Sequence, residues 1–252
     1  MAVAFRSGNP ALGERTFEQW RTISMPQSDT MSLNGTVNKT ALLLFIAVFT
    51  GSFTWKLATD GNPAVFPLAV GGAFLAFVTA MVTIFKKDWS PVSAPLYAAL
   101  EGLFLGGISA VYNMRYEGIV GQAVVLTAGT LFALLMAYRS GLIKPTENFK
   151  LGVVAATGGI CVLYLVSILF SVFGVHNAIP MIHSSSPIGI GFSVVVVIIA
   201  ALNLVLDFDF IESGVEMGAP KYMEWYGAFG LMVTLVWLYL EILRLLAKLR
   251  ER

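Results

Sequence analysis

Charge is scarce in this chain. Only 12% of its 252 residues are Asp, Glu, Lys or Arg, against about 25% in a soluble domain. That leaves too little polar surface for a fold bathed in water. The net charge of +1 gives no electrostatic footprint for nucleic acid. Cysteine is nearly absent. Cys161 has no second thiol to pair with, and no CxxC or Cys/His cluster exists for zinc or redox chemistry. It lies in an apolar run and reads as a small hydrophobe. The two histidines, His176 and His183, lack metal-ligand spacing. No P-loop, dinucleotide fingerprint, nucleophile–base set or paired protease aspartates occur, so no enzyme and no cofactor are expected. The first forty residues also lack a charged start followed by an apolar core. No cleavable leader is therefore read there, and the first apolar helix is expected to act as the targeting signal.

What the chain has instead is hydrophobic length. Hydrophobic residues make up 57% of it, and mean hydropathy is +0.77. A spanning helix needs roughly 20 mainly apolar residues. Seven stretches qualify: Ala41–Ala58, Ala64–Phe85, Val92–Tyr112, Gly118–Tyr138, Leu151–Val175, Pro187–Phe210 and Tyr226–Leu246. Unpaired backbone groups cannot face lipid, so each must be helical. Short connections predict antiparallel neighbours in an all-α bundle. Residues 1–40 read as a polar tail, with a short surface helix expected near Ala11–Trp20, and 41–252 as the membrane domain.

Asp60-Gly-Asn-Pro63, Lys86–Pro91, Lys144-Pro145 and Ser184–Pro187 punctuate the runs. Residues 212–225 read as a longer interfacial connection, with Tyr222, Trp225 and Tyr226 at headgroup level. Gly102-x-x-x-Gly106 is a small-residue pattern that serves either dimerisation or packing within the bundle.

Lys and Arg set the orientation. Ten fall on the side of the amino terminus: Arg6, Arg15, Arg21, Lys39, Lys86, Lys87, Arg139, Lys144, Lys150 and Lys221. Six fall on the other: Lys56, Arg115, Arg244, Lys248, Arg250 and Arg252. The count predicts a cytoplasmic amino terminus. It leaves a basic carboxyl end outside, against the rule, unless the last helix fails to cross.

Four carboxylates lie in or against the apolar runs: Glu101, Asp207, Asp209 and Glu241. A charge at bilayer depth is expensive and marks a candidate functional site. Glu101 sits mid-helix, as either a core acid joining helices or a station on a proton or cation route. Asp207 shares a helix face with Asn203, four residues earlier, and that face is expected to point inward. Asp209 lies about 200° around the axis and is expected nearer the interface. Glu241 precedes Arg244 by three residues, which permits an ion pair within the helix.

The order of several short motifs resembles the bacterial Bax inhibitor/YccA-like family of integral membrane proteins. They are Asn9-Pro-Ala-Leu12, Gly35–Thr40, Trp89–Tyr97 leading to Leu100-Glu-Gly-Leu103, Leu204–Glu212, Trp225-Tyr-Gly-Ala-Phe229 and Leu238–Leu246. The resemblance implies a seven-helix bundle with the last helix near its centre. It also implies, from some members, a pH-sensitive calcium leak gated by two aspartates that share a proton. Asp207 matches the first through the Asp-x-x-x-Ile pattern ending at Ile211. The second position falls at Thr234, so the acids left to take its part are Glu241, Glu101 and Asp209. Other bacterial members modulate membrane-protein quality control through a membrane protease.

Two functions are therefore expected. One is a proton-sensing or cation-conducting protein of the bacterial cytoplasmic membrane, with calcium or protons as its partners and Asp207, Glu101, Glu241, Asp209 and Asn203 as site residues. A carboxylate held from water favours its neutral form, so acidity would switch it. The other is a non-conducting regulator that binds a membrane protease or other membrane proteins.

Overall fold

Apolar runs of this length have one way to satisfy their own backbones in lipid, and each becomes a single helix. The computed structural model describes residues 29–175 and 179–251. Seven long helices cover the seven runs: α1 (Leu33–Thr59), α2 (Val65–Phe85), α3 (Ser90–Arg115), α4 (Ile119–Arg139), α5 (Glu147–Val172), α6 (Pro187–Glu216) and α7 (Met223–Arg250). All seven are long and apolar enough to cross a membrane. A 3-10 turn at Lys87–Trp89 leads into α3, and a single helical turn at Pro180–His183 precedes α6. The expected surface helix at Ala11–Trp20, the Asn9–Leu12 motif and His176 lie outside the described residues.

Two boundaries differ most from the sequence reading, each for a local reason. Helix α1 starts at Leu33, not Ala41, because Ser32 caps it and its hydroxyl accepts the Gly35 N–H at 3.1 Å. Helix α6 runs on to Glu216, so only residues 217–222 connect it to α7. Its end is set by Gly218, at φ 66°, and by Pro220, not by the loss of hydrophobicity at Phe210. Tyr226, expected in the connection, falls in the first turn of α7 and is buried at 1% exposure. Its ring packs 6.5 Å from Phe210 and 6.3 Å from Phe229.

The chain divides into two compact units. The first holds residues 29–117 and Asp209–Val233, hence α1, α2, α3, the end of α6 and the start of α7. Here α3 packs against both α1 and α2. Glycines make the approach close. A Cβ at Gly102 would overlap the Ala47 carbonyl and Thr50 hydroxyl of α1, and one at Gly106 would overlap the Gly51 carbonyl and Thr54 hydroxyl. On the other side, a Cβ at Gly107 would sit 2.8 Å from the Ala69 methyl of α2, and one at Gly72 2.8 Å from the Leu100 carbonyl. The small-residue pattern of α3 is thus spent on packing inside the chain. The Thr83 hydroxyl donates to Ser93 at 2.8 Å and adds a polar tie between α2 and α3.

The second unit holds Gly118–Phe208 and Thr234–Arg252, hence α4, α5, most of α6 and the later part of α7. Helix α7 is the most enclosed of the seven, with 61% of its most apolar window buried against 11% for α4 and for α5. It has 28 residues, about 42 Å at 1.5 Å per residue, which is long enough to cross. The basic carboxyl end has a structural explanation as well. Arg244 and Lys248 make their hydrogen bonds inside the unit, so they do not act as loop charges.

The glycine contacts carry a testable consequence. Replacing Gly106 by Leu must push α3 off the α1 backbone, at a cost of about 1–3 kcal/mol or more. Gly129 has nothing within 4 Å of its missing Cβ, so Gly129→Leu is expected to be neutral or stabilising. Thermal unfolding of the two purified variants should separate them in that order.

Candidate functional site

Polar side chains in the second unit line up along three helices. Asp207 of α6 is completely buried, at 0% exposure, and Asn203 one turn before it is also buried. The expected inward face is therefore inward, while Asp209 is only half-buried. The Asn203 amide donates to the Thr157 hydroxyl of α5 at 2.8 Å and to the Ile199 carbonyl at 2.8 Å. This amide ties α6 to α5 one turn from the acid.

Glu241 of α7 is buried and fully engaged. Arg244 donates to both of its oxygens at 2.9 Å, the pair that the three-residue spacing allowed. Tyr164 of α5 donates its hydroxyl to Glu241 at 3.0 Å and accepts from Arg244 at 2.7 Å. The Arg244 guanidinium also lies 5.3 Å from the Tyr164 ring. A neutral phenol thus completes the shell of a buried ion pair, which limits its desolvation cost. Neither Tyr164 nor Arg244 stood out as a site residue in the sequence, because each reads as an ordinary aromatic or basic residue near a helix end.

The contact between Lys248 of α7 and Ser193 of α6, at 2.9 Å, fixes the register of these antiparallel helices. Counting fourteen residues from each, about 21 Å along the axis, arrives at Asp207 on α6 and Thr234 on α7. Asp207 and Thr234 are therefore level, and both are buried. The position that the sequence resemblance pairs with Asp207 carries a hydroxyl here, not a second acid. From there the polar positions descend through Asn203 and Thr157, then Glu241, Tyr164 and Arg244, to Ser193 and Lys248.

Glu101 belongs to α3 in the other unit, where it is mostly buried. Among the described residues no side chain hydrogen-bonds its carboxyl group. Tyr97 one turn earlier packs edge-on to Phe229 of α7, with ring centroids 5.0 Å apart, so Glu101 lies along the α7-facing side of α3.

A fifth acid was missed by sequence reasoning. Glu224, in the first turn of α7, is completely buried. It accepts from the Ser32 N–H at 2.9 Å and the Ser32 hydroxyl at 2.8 Å, and pairs with Lys221 at 3.1 Å and with Lys39. Its carboxylate fills the space beside Gly35, where a Cβ would collide with it. Next to it the chain makes a short antiparallel bridge, Thr30 with Pro220, flanked by Met31 N–H to Ala219 O at 2.6 Å and Lys221 N–H to Asp29 O at 2.8 Å. The signal for this clamp was the spacing of Lys221 and Glu224, but its main partners lie some 190 residues away, where sequence spacing is silent.

Seven apolar helices with buried, internally paired charges define a multi-pass α-helical membrane protein. The chain matches, over residues 9–251, the family described as Bax inhibitor 1 like, and it belongs to that family. No curated protein and no solved structure matches it.

Two substitutions probe these clusters. Glu224→Gln removes the charge that two lysines and Ser32 answer, and charge-assisted hydrogen bonds count for about 1.5–3 kcal/mol each. It is expected to lower the thermal midpoint clearly. Tyr164→Phe removes one hydroxyl from a shell that keeps its ion pair, for a loss on the order of 1–2 kcal/mol. Parallel melts of both variants check the ranking.

Proposed function

We propose that this protein is a proton-responsive cation leak of the bacterial cytoplasmic membrane, with its amino-terminal side inside. The observation that carries the reading is the complete burial of Asp207 on a polar face of an otherwise apolar helix. Such an acid has two states of very different hydration. Ionised, it favours water and cations beside it. Protonated, it favours a closed, apolar arrangement. Thr234, Asn203 and Thr157 supply neutral oxygens and an amide around the same levels, and hard oxygen donors suit calcium. Membership of the Bax inhibitor 1 like family supports the assignment at the level of class. Thr234 stands level with Asp207 where the resemblance expects a second acid, so the proton switch is assigned to Asp207, with Glu241, Glu101 and Asp209 as the acids left to assist it.

A second reading is favoured by the outer helices. In α4 and α5 the missing Cβ positions of Gly121, Gly129, Gly152, Gly158 and Gly159 have nothing within 4 Å. Helices with open small residues can receive another membrane helix. That suits a non-conducting regulator of membrane proteins.

Reconstitution separates the two. Proteoliposomes should release calcium faster than empty liposomes, at a rate that changes with pH. Asp207→Asn should flatten that pH dependence, while neutral variants of Glu101 and Glu241 tested singly measure their share. A leak equal to that of empty liposomes at every pH eliminates the conducting reading. Co-purifying membrane partners that persist with all these acids neutralised would then support the regulator.

A further inference from the structure

Lys248 is a buried cation whose hydrogen bonds go to neutral oxygens. Its side chain is only 3% exposed. Its ammonium donates to the Met181 carbonyl at 3.2 Å, the Gly189 carbonyl at 3.1 Å and the Ser193 hydroxyl at 2.9 Å. Among the described residues no carboxylate lies within ion-pair distance of it. Glu241, two turns away on α7, is engaged by Arg244 and Tyr164, and Glu251 accepts from Ser185.

The three oxygens are assembled by the chain segment that enters α6. Met181 belongs to the single turn Pro180–His183, whose last carbonyls have no helical partner downstream. Gly189 and Ser193 are one turn apart on α6 and present their oxygens on one face. Gly189 has to be glycine, since a Cβ there would overlap the Ser184 carbonyl. The Ser186 hydroxyl accepts the Gly189 N–H at 3.2 Å and holds the turn. Neutral oxygens that replace a hydration shell are the means by which proteins hold a bare monovalent cation. An ammonium nitrogen keeps nearly the same distances to oxygen as a potassium ion does.

We propose that this oxygen cage is a monovalent-cation site, and that the Lys248 ammonium is its tethered occupant. A staple between α7 and the α5–α6 connection could use any neutral donor. An ammonium brings a desolvation cost that a neutral donor would avoid. The fixed charge fills the cage and keeps mobile cations out of the last polar level of the second unit. Where the conducting reading above holds, Lys248 is also a plug at that end of the series; the cage itself does not depend on that reading.

Chemical rescue tests the site. Purified Lys248→Ala protein is melted in choline chloride, and then with potassium, ammonium or ethylammonium chloride replacing the choline at constant ionic strength. The proposal expects a midpoint several degrees below wild type in choline, with saturable recovery of most of that loss in the small cations. Wild-type protein should show no such response. Lys248→Met, which fills the space with an apolar chain, should lose stability without recovering it. Adding Ser193→Ala to Lys248→Ala should weaken the rescue by removing one oxygen. Equal behaviour in choline and in the small cations overturns the proposal, as does failure to recover folded Lys248→Ala protein from membranes prepared in any of these salts. Potassium flux through Lys248→Ala proteoliposomes is measured in parallel. Rescue without raised flux keeps the cage and removes the plug, so failure of the conducting reading is told apart from failure of the site.

Discussion

Helix α7 carries Glu224, Glu241, Arg244 and Lys248 through surroundings mostly closed to solvent, and the protein must answer each of these charges itself. Leaving one unanswered would cost several kcal/mol, comparable to the whole stability of a domain. The answers differ in kind. Glu224 meets two lysines and the amide and hydroxyl of Ser32. Glu241 meets an arginine on its own helix and a phenol from α5. Lys248 meets only neutral oxygens. Each answer names a segment that has to lie against α7: residues 29–39, α5, and the entry to α6. In lipid the hydrophobic effect does not sort one apolar helix from another, so polar contacts of this kind, with close packing, do the sorting.

The close packing is found elsewhere, in α3. Its glycines face two neighbours at once, Gly102 and Gly106 toward α1 and Gly107 toward α2. Within the first unit the packing of α1, α2 and α3 therefore relies on backbone approach, beside the buried Glu224 clamp, where the second unit relies on buried polar pairs. Thr83 and Ser93 add one hydrogen bond to that scheme without changing its character.

Hydrophobic length made the number of crossings and their approximate positions legible in the sequence. It could not locate helix ends, because a helix may outlast its apolar run. Ser32 begins α1 two turns before the greasy stretch, and α6 continues through Asp207, Asp209 and Glu212 to Glu216 before Gly218 ends it. Helical spacing was equally informative about faces. It placed Asn203 with Asp207 and set Glu241 beside Arg244. It was blind to partners on other helices. Nothing local to Glu224 pointed to Ser32, and nothing local to Lys248 pointed to Met181. The paired small residues of α3 were readable as a packing motif, while their partner, α1, needed the fold.

The brace between residues 29–31 and 219–221 has a mechanical meaning. It fastens the outgoing amino-terminal segment to the first turn of α7, and the Glu224 clamp locks the joint. Helix α7 then runs unbroken to Arg250. The joint therefore makes the start of α7 inseparable from residues 29–39: whatever displaces that segment must first break an ion-paired carboxylate buried away from water.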